Sequence, residues 1–453
     1  MNRTTQATIG FAAAAMLVSY LPFSAINGVL ATISADTASL QWVTDAFTVA
    51  LTGAVLSGGA LAERYGRRRI TVAGLALTVL GCLVGSVAGG VHVLWVGQAV
   101  AGAGAGLVMS ATLALIAATA DSAAARTRAI ALWAAANVAG LGAGPFLAAA
   151  VPSWRWLFPP VAVLAAAVAG FGLLRSREVV AGSPGRPDLL GQLTGTTGVI
   201  ALVFGVIRAG SDGWTDAGAL LGLTGGVVVL AAFLLVEQRA ANPVLRPALF
   251  AARGFTAAGA AAGAALFTMI GVVFVTSLAL AQQDVGNLGI AARLGCLFAG
   301  NAIASIVAGR LQVRLGSTTV LLGGLVVALA GLTALLGSPF GTGFGDLAWR
   351  LIVVGAGCGT VIATSTAVAV QSVAGPLAGM AGTANNVIRQ LGAALGTAVL
   401  GGVLASRLAG GSSLVTALHG CVAVLLVVMS AAAVTAAALL LIPRTATLEG
   451  EPA

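Results

Sequence analysis

The chain has 453 residues, of which 59% are hydrophobic and only 8% charged. A water-soluble domain carries roughly 25% charged residues, so these proportions, with a mean hydropathy of +1.04, exclude a soluble globular protein and make lipid the main solvent. The net charge of +9 rests on 22 basic residues, all arginine, and they stand in short clusters between apolar runs. That distribution excludes a nucleic-acid-binding stripe and suits the inner side of a membrane protein.

A membrane-spanning helix takes about 20 mostly apolar residues. Fourteen such segments follow one another: 8–31, 44–63, 70–89, 92–119, 127–151, 157–175, 189–208, 216–236, 255–281, 287–309, 317–337, 347–371, 382–406 and 417–442. None alternates with period two, which rules out a closed barrel and predicts an all-α integral membrane protein. The first run, behind Arg3, superficially resembles a signal peptide but continues to about Ala31 and is read as an uncleaved first helix. With the N-terminus inside, sixteen arginines fall on the inner side and five (Arg155, Arg208, Arg293, Arg350, Arg407) on the outer, with Arg389 inside a helix. The bias predicts a multi-pass protein of the cell membrane with both termini cytoplasmic. Trp42, Trp95, Trp154, Trp156 and Trp214 fall at predicted outer ends, where aromatic anchors belong.

Between the second and third segments stands the pattern G-x-L-x-x-R-x-G, as Gly59, Leu61, Arg64 and Gly66. It returns between the tenth and eleventh as Gly309, Leu311, Arg314 and Gly316, an offset of 250 residues. A basic turn repeated eight helices later marks a duplicated bundle with two helices inserted, an architecture that secondary transporters use. The chain therefore divides into an N-terminal six-helix bundle (1–175), a central loop with the inserted pair (176–254), a C-terminal six-helix bundle (255–442) and a cytoplasmic tail (443–453). The copies are unequal: the first carries Glu63 and the cluster Arg67-Arg68-Arg69, the second Gln312 and Val313.

Four scattered cysteines and two histidines supply no metal-ligand spacing, so no metal site is expected. The glycine runs at 102–106 and 355–359 lie inside apolar helices with no strand before them, and no Walker sequence exists, so no nucleotide, cofactor or enzymatic activity is expected. Ionisable groups inside a membrane are costly and default to functional hypotheses. Asp45, about one turn inside the outer end of the second helix, is the candidate proton site; the same position also suits a plain carboxylate at a helix N-terminus. Arg389, with Asn27, Gln98, Asn137, Asn301 and Asn386, makes up the candidate substrate cavity, although each amide serves equally as an interhelical hydrogen bond.

The first turn, Gly59-Ala60-Leu61-Ala62-Glu63-Arg64-Tyr65-Gly66-Arg67-Arg68-Arg69, resembles the cytoplasmic loop signature of the major facilitator superfamily, with Glu63 where the family pattern has aspartate. Gly140-Leu141-Gly142-Ala143-Gly144-Pro145-Phe146 resembles its antiporter motif, built on Gly140, Gly144 and Pro145. Trp154-Arg155-Trp156, the stretch 41–47, Asp188-Leu189-Leu190-Gly191, Asn242-Pro243 and the run Asn386 to Gly392 are similar to segments of its fourteen-helix drug–proton antiporters. The resemblance implies that Gly59, Leu61, Glu63, Arg64, Gly66, Arg67 and Arg68 form a conformational switch, the alternative being a plain positive-inside anchor. It implies a monomer in the lipid bilayer that exports small hydrophobic or amphiphilic drugs or antibiotics by alternating access, in exchange for protons, with no nucleic-acid partner. Two positions depart from the pattern: Pro22 stands where the family often has an aspartate, and Gln98 where it has the arginine tied to proton coupling. A metabolite importer or exchanger of the same fold, and a non-transporting membrane sensor or scaffold, stay open. With no acid near the cavity's centre, neutral or anionic substrates are expected rather than lipophilic dications.

Overall fold

The computed structural model describes residues 3–441 except 31–32, 36, 180–187, 241–245, 284, 342 and 375–376. In hydrocarbon a backbone must satisfy its own N–H and C=O groups, so each apolar stretch becomes a helix. These are α1 (Arg3–Asn27), α2 (Thr37–Tyr65), α3 (Arg67–Ser86), α4 (Val91–Thr119), α5 (Ala123–Ala150), α6 (Phe158–Arg175) and α7 (Leu189–Asp212). They continue as α8 (Ala217–Arg239), α9 (Arg253–Ala281), α10 (Asn287–Leu315), α11 (Ser317–Leu336), α12 (Phe344–Gln371), α13 (Ala378–Ala409) and α14 (Leu414–Leu441). Every predicted span has its helix. Ends differ most at α2, which begins at Thr37 rather than 44, because polar first-turn residues conceal a helix start from a reading by apolarity. Two 3₁₀ turns, Trp154–Leu157 and Pro247–Ala251, are too short to register in a reading by apolar length and are new. Asn242-Pro243, Arg186 and the tail 443–453 lie outside the described residues.

Side chains cap several helix starts. Ser122 accepts from the Ala125 N–H at 3.2 Å, Asp188 from Gly191 at 2.7 Å and Asp216 from Ala219 at 2.9 Å. The Ala219 amide and then the Arg208 guanidinium hold the Asp216 carboxyl below the usual aspartate range.

The duplication is visible in the packing. Within the first six helices α1 lies on α4 and α5, α4 on α2 and α3, and α3 on α6. Adding eight gives α9 on α12 and α13, α12 on α10 and α11, and α11 on α14, and all of these pairs are in contact. The halves meet along two seams, α2 against α13 and α5 against α10, which exchange under the same shift. The inserted pair breaks this symmetry. α7 packs on both α2 and α13 and covers their seam, so closely that a Cβ on Gly210 would stand 2.3 Å from the Ala398 carbonyl oxygen. α8 lies outside α7 and exposes Leu221, Val228 and Leu235. The α5–α10 seam instead holds an apolar cleft of about 270 Å³ between Val138, Gly142 and Phe146 on one side and Gly295, Phe298 and Ala302 on the other.

α2 bends by 50° between Val55 and Ser57. The Ser110 hydroxyl of α4 donates to the Val55 carbonyl at 2.7 Å, entering the helix's own ladder at the bend. An inserted side chain beside Ser and Gly residues is a recognised cause of a kink.

Candidate functional site

The first repeated turn is held by contacts inside its own half. Gly66 has φ of 103°, in the left-handed region, and a Cβ there would stand 2.6 Å from Glu178 Oε1, so only glycine fits. Glu178, just beyond α6, accepts the Arg68 backbone N–H at 3.0 Å and faces Arg68 Nε at 3.5 Å and Arg69 Nε at 3.8 Å. Arg68 Nη1 also donates to the Ser176 carbonyl at 3.1 Å, while Arg67 Nη1 donates to Ala114 of α4 at 2.9 Å. Glu63 and Arg64 are exposed, Arg64 lying over the Tyr65 ring at 5.4 Å, and Leu61 is half-buried. The turn's approach to the other half is at Gly59, where a Cβ would stand 3.8 Å from Thr383 Oγ1 of α13. The second copy differs: Gly316 also has a positive φ, 82°, but nothing stands within 4 Å of its Cβ position.

In α5 the glycines sort by face. A Cβ on Gly140 would stand 2.3 Å from the Leu17 carbonyl oxygen, and one on Gly144 would stand 2.1 Å from Ser24 Oγ. Ser24 donates to the Gly140 carbonyl at 2.9 Å, so these residues form the α1–α5 contact. Pro145 lacks the N–H that would bond Leu141, and small neighbours let α1 support that break. Gly142, between the two, faces Phe298 of α10 instead.

Where the halves meet, the structure gathers polar groups. Gln390 of α13 donates through Nε2 to the Tyr20 hydroxyl of α1 at 3.0 Å, and the same hydroxyl points to Met109 Sδ at 3.8 Å. Asn137 of α5 stands beside this hydroxyl, with its Nδ2 in no well-formed hydrogen bond among the described residues. Arg389 is 8% exposed and lies near enough to Tyr20 for the two to interact electrostatically. Asn386, one turn earlier, is buried with its Oδ1 unpartnered. Of the predicted cavity residues, Asn137 and Arg389 thus come together around Tyr20, with Asn386 on the same helix. Asn301 instead donates to Met269 at 3.1 Å within the second half, and Asn27 to the Phe23 carbonyl of its own helix at 2.7 Å.

Gln98 has a specific place. Its Nε2 donates to the Pro22 carbonyl at 3.3 Å. The two positions that depart from the family pattern therefore touch each other, through the Gln98 side chain and the Pro22 main chain.

Asp45 is buried, and the earlier start of α2 corrects its position. It lies about 12 Å along the helix from Thr37 at 1.5 Å per residue, beyond the first turn where the helix dipole alone would account for a carboxylate. A second acid, Glu237 near the end of α8, is also buried, at 2% exposure. Glu237 sits close to a helix end, which made it look like a loop residue in the sequence. Tyr20, Gln390 and Glu178 also escaped the sequence reading. One signal was available for Tyr20: it is one of only two tyrosines in the chain and falls within an apolar run. Among the described residues no group of three or more His, Cys, Asp or Glu could hold a metal ion.

A model of the Major Facilitator Superfamily matches residues 9–397. The chain is 30% identical to the multidrug resistance protein Stp of Mycobacterium tuberculosis over 421 residues, which are 90% of this chain and 77% of that relative. It is 30% identical to the cephamycin export protein CmcT of Amycolatopsis lactamdurans, over 87% of this chain and 83% of the relative. It is 28% identical to a methylenomycin A resistance protein of Bacillus subtilis, over 86% and 85%. The structure of the human organic anion transporter MFSD10 superposes with a TM-score of 0.66 at 15% identity, over 94% of this chain and all of that one, a likeness of fold. With the match spanning both halves of a fourteen-helix duplicated bundle, the chain belongs to the Major Facilitator Superfamily of membrane transporters.

Proposed function

We propose that this protein exports amphiphilic drugs or antibiotics across the cell membrane by alternating access, in exchange for protons, as a monomer with both termini cytoplasmic. The observation that carries the reading is the polar group of Tyr20, Asn137, Arg389 and Gln390 placed between two duplicated halves. Transporters of this construction bind substrate near the midplane at the repeat interface. The relatives named for multidrug resistance and cephamycin export support the direction of transport. Phe23 and Phe47, with ring centroids 5.2 Å apart and Phe47 edge-on to Tyr20, give an apolar body somewhere to lie beside the polar group. Neutral and anionic substrates are favoured over lipophilic dications, because the charged side chain in this polar group, Arg389, is a cation.

Asp45 is the proton carrier in this reading, taking the role that Pro22 and Gln98 do not fill. The test is efflux of a hydrophobic fluorescent dye from proteoliposomes with and without an imposed proton gradient. The wild type concentrates the dye only with the gradient, and Asp45→Asn keeps dye binding but loses uphill export. Gradient-driven export that survives Asp45→Asn moves the proton site elsewhere, and absence of any flux under any gradient rejects the transport reading.

A further inference from the structure

A guanidinium buried in a membrane protein is expensive unless something neutralises it. Arg389 is 8% exposed, and among the described residues no hydrogen bond or ion pair reaches it; its Nε is without a partner. α13 itself contains no acid, and the packed faces of α1, α9 and α14 bring none. α2 brings the buried Asp45 and the exposed Glu63, neither of which pairs with Arg389 among the described residues. On α12, Asp346 is engaged with Arg350, and on α7, Asp212 with Arg208. What surrounds Arg389 adds donors rather than acceptors. The Tyr20 hydroxyl already accepts from Gln390 and is left with only the Met109 thioether as its own acceptor, a weak one. Asn137 Nδ2 stands near that hydroxyl without a well-formed hydrogen bond to any acceptor among the described residues. Three donors on three helices, one of them cationic, thus stand close together with few acceptors among them.

We propose that Arg389, with Tyr20 and Asn137, binds the carboxylate of an anionic amphiphile at the seam between the halves. The planar guanidinium matches a carboxylate bidentately, and the charge-assisted bonds strengthen where water is excluded. A ligand carboxylate replaces Met109 as acceptor of the Tyr20 hydroxyl and completes the Asn137 amide. The unpartnered Asn386 Oδ1 then serves a hydroxyl or amide on the same ligand. The transport consequence rests on the export reading; the binding site itself does not.

The test uses the full chain in phosphatidylcholine nanodiscs with two probes of one skeleton, 1-pyrenebutyrate and the neutral 1-pyrenebutanol. Binding is read by tryptophan-to-pyrene energy transfer against empty nanodiscs, and the ratio of the two Kd values is the result. The wild type favours the carboxylate by about tenfold or more, the scale of one charge-assisted interaction. Arg389→Gln brings the ratio near one and Arg389→Lys restores much of it, which separates lost charge from lost fold; Tyr20→Phe lowers it severalfold. A wild-type ratio near one, or a ratio that survives Arg389→Gln, overturns the proposal. Displacement of pyrenebutyrate by added phosphatidylglycerol assigns the site to a lipid headgroup and overturns its role in substrate binding; indifference to that lipid supports it. In proteoliposomes, a Kd ratio that follows Arg389 without flux of either probe keeps the site and rejects export. Flux of pyrenebutanol with a flat Kd ratio does the reverse.

Discussion

Gly144 and Gly142 lie half a turn apart on α5 and answer differently to one added methyl group. At Gly144 the Cβ would meet the Ser24 main chain at 2.3 Å, and a backbone held in a neighbouring helix cannot yield. At Gly142 the nearest atom, Phe298 Cβ, is 3.4 Å away, an ordinary contact. Gly144→Ala is therefore expected to cost about 2–3 kcal/mol of stability through overpacking. Gly142→Ala is expected to be neutral or to gain up to about 1 kcal/mol from helix propensity. Thermal unfolding of the two purified variants checks the contrast, and equal melting temperatures would reject the assignment of faces. The motif was legible in the sequence because Gly-Pro within an apolar run is unusual; the face that each glycine turns to α1 or α10 was not. The same limit applies to Pro22 and Gln98. Each departure could be seen alone, but their hydrogen bond links residues 76 apart and exists only because α1 packs on α4.

At the scale of the helix and its turn, the repeated basic pattern was the clearest signal in the chain, and the acid that contacts its arginines lies elsewhere in the sequence. Glu63 stands in the family's acidic position but is exposed, whereas Glu178, 110 residues from Arg68, fills the space over Gly66 and accepts the Arg68 amide. We infer that the first turn acts as the conformational latch and that Glu178 closes it. Glu178→Gln keeps a neutral acceptor but loses the attraction to Arg68 and Arg69, and is expected to change the export rate severalfold. Glu63→Gln is expected to slow turnover by less, with substrate choice unaltered in both. Initial rates of dye export over a range of substrates measure this, and a larger effect at Glu63 would return the switch to the family's own acid. The bend in α2 belongs to this scale too. Its Ser-Gly-Gly run permits a kink, but the Ser110 hydroxyl that enters the ladder comes from another helix.

In the whole molecule, alternating access requires the two seams to open and close, and the inserted pair makes them unequal. α7 backs the α2–α13 seam, while the α5–α10 seam keeps its apolar cleft. At the end bearing the repeated turns α2 and α13 are in contact, a Cβ on Gly59 standing 3.8 Å from Thr383 Oγ1 and 3.9 Å from its Cγ2, near enough for a cysteine pair at the two positions to reach disulfide geometry with a small helix shift. A Gly59→Cys, Thr383→Cys double variant is expected to cross-link on mild oxidation and stop transport, with recovery on reduction. Cys82, Cys358 and Cys421 are buried and Cys296 half-buried, so wild-type protein treated the same way is the control. Continued transport in the cross-linked protein would show that this contact does not open during the cycle.

The helices and the family were legible in the sequence alone, and the 250-residue repeat pointed there to a duplication with an inserted pair, because apolar length, arginine placement and repeat spacing are one-dimensional properties. The meeting of side chains from different helices was decided only by the tertiary structure. Tyr20 and Gln390 lie 370 residues apart and share a hydrogen bond at 3.0 Å, and Arg389 gains its meaning from having no acidic partner among the described residues of the helices packed around it. The physical reason is the solvent. Lipid selects helices from local hydrophobicity, but it draws no helix face toward another. Partners at the seam are fixed by small-residue packing and by buried polar groups that must find each other in three dimensions.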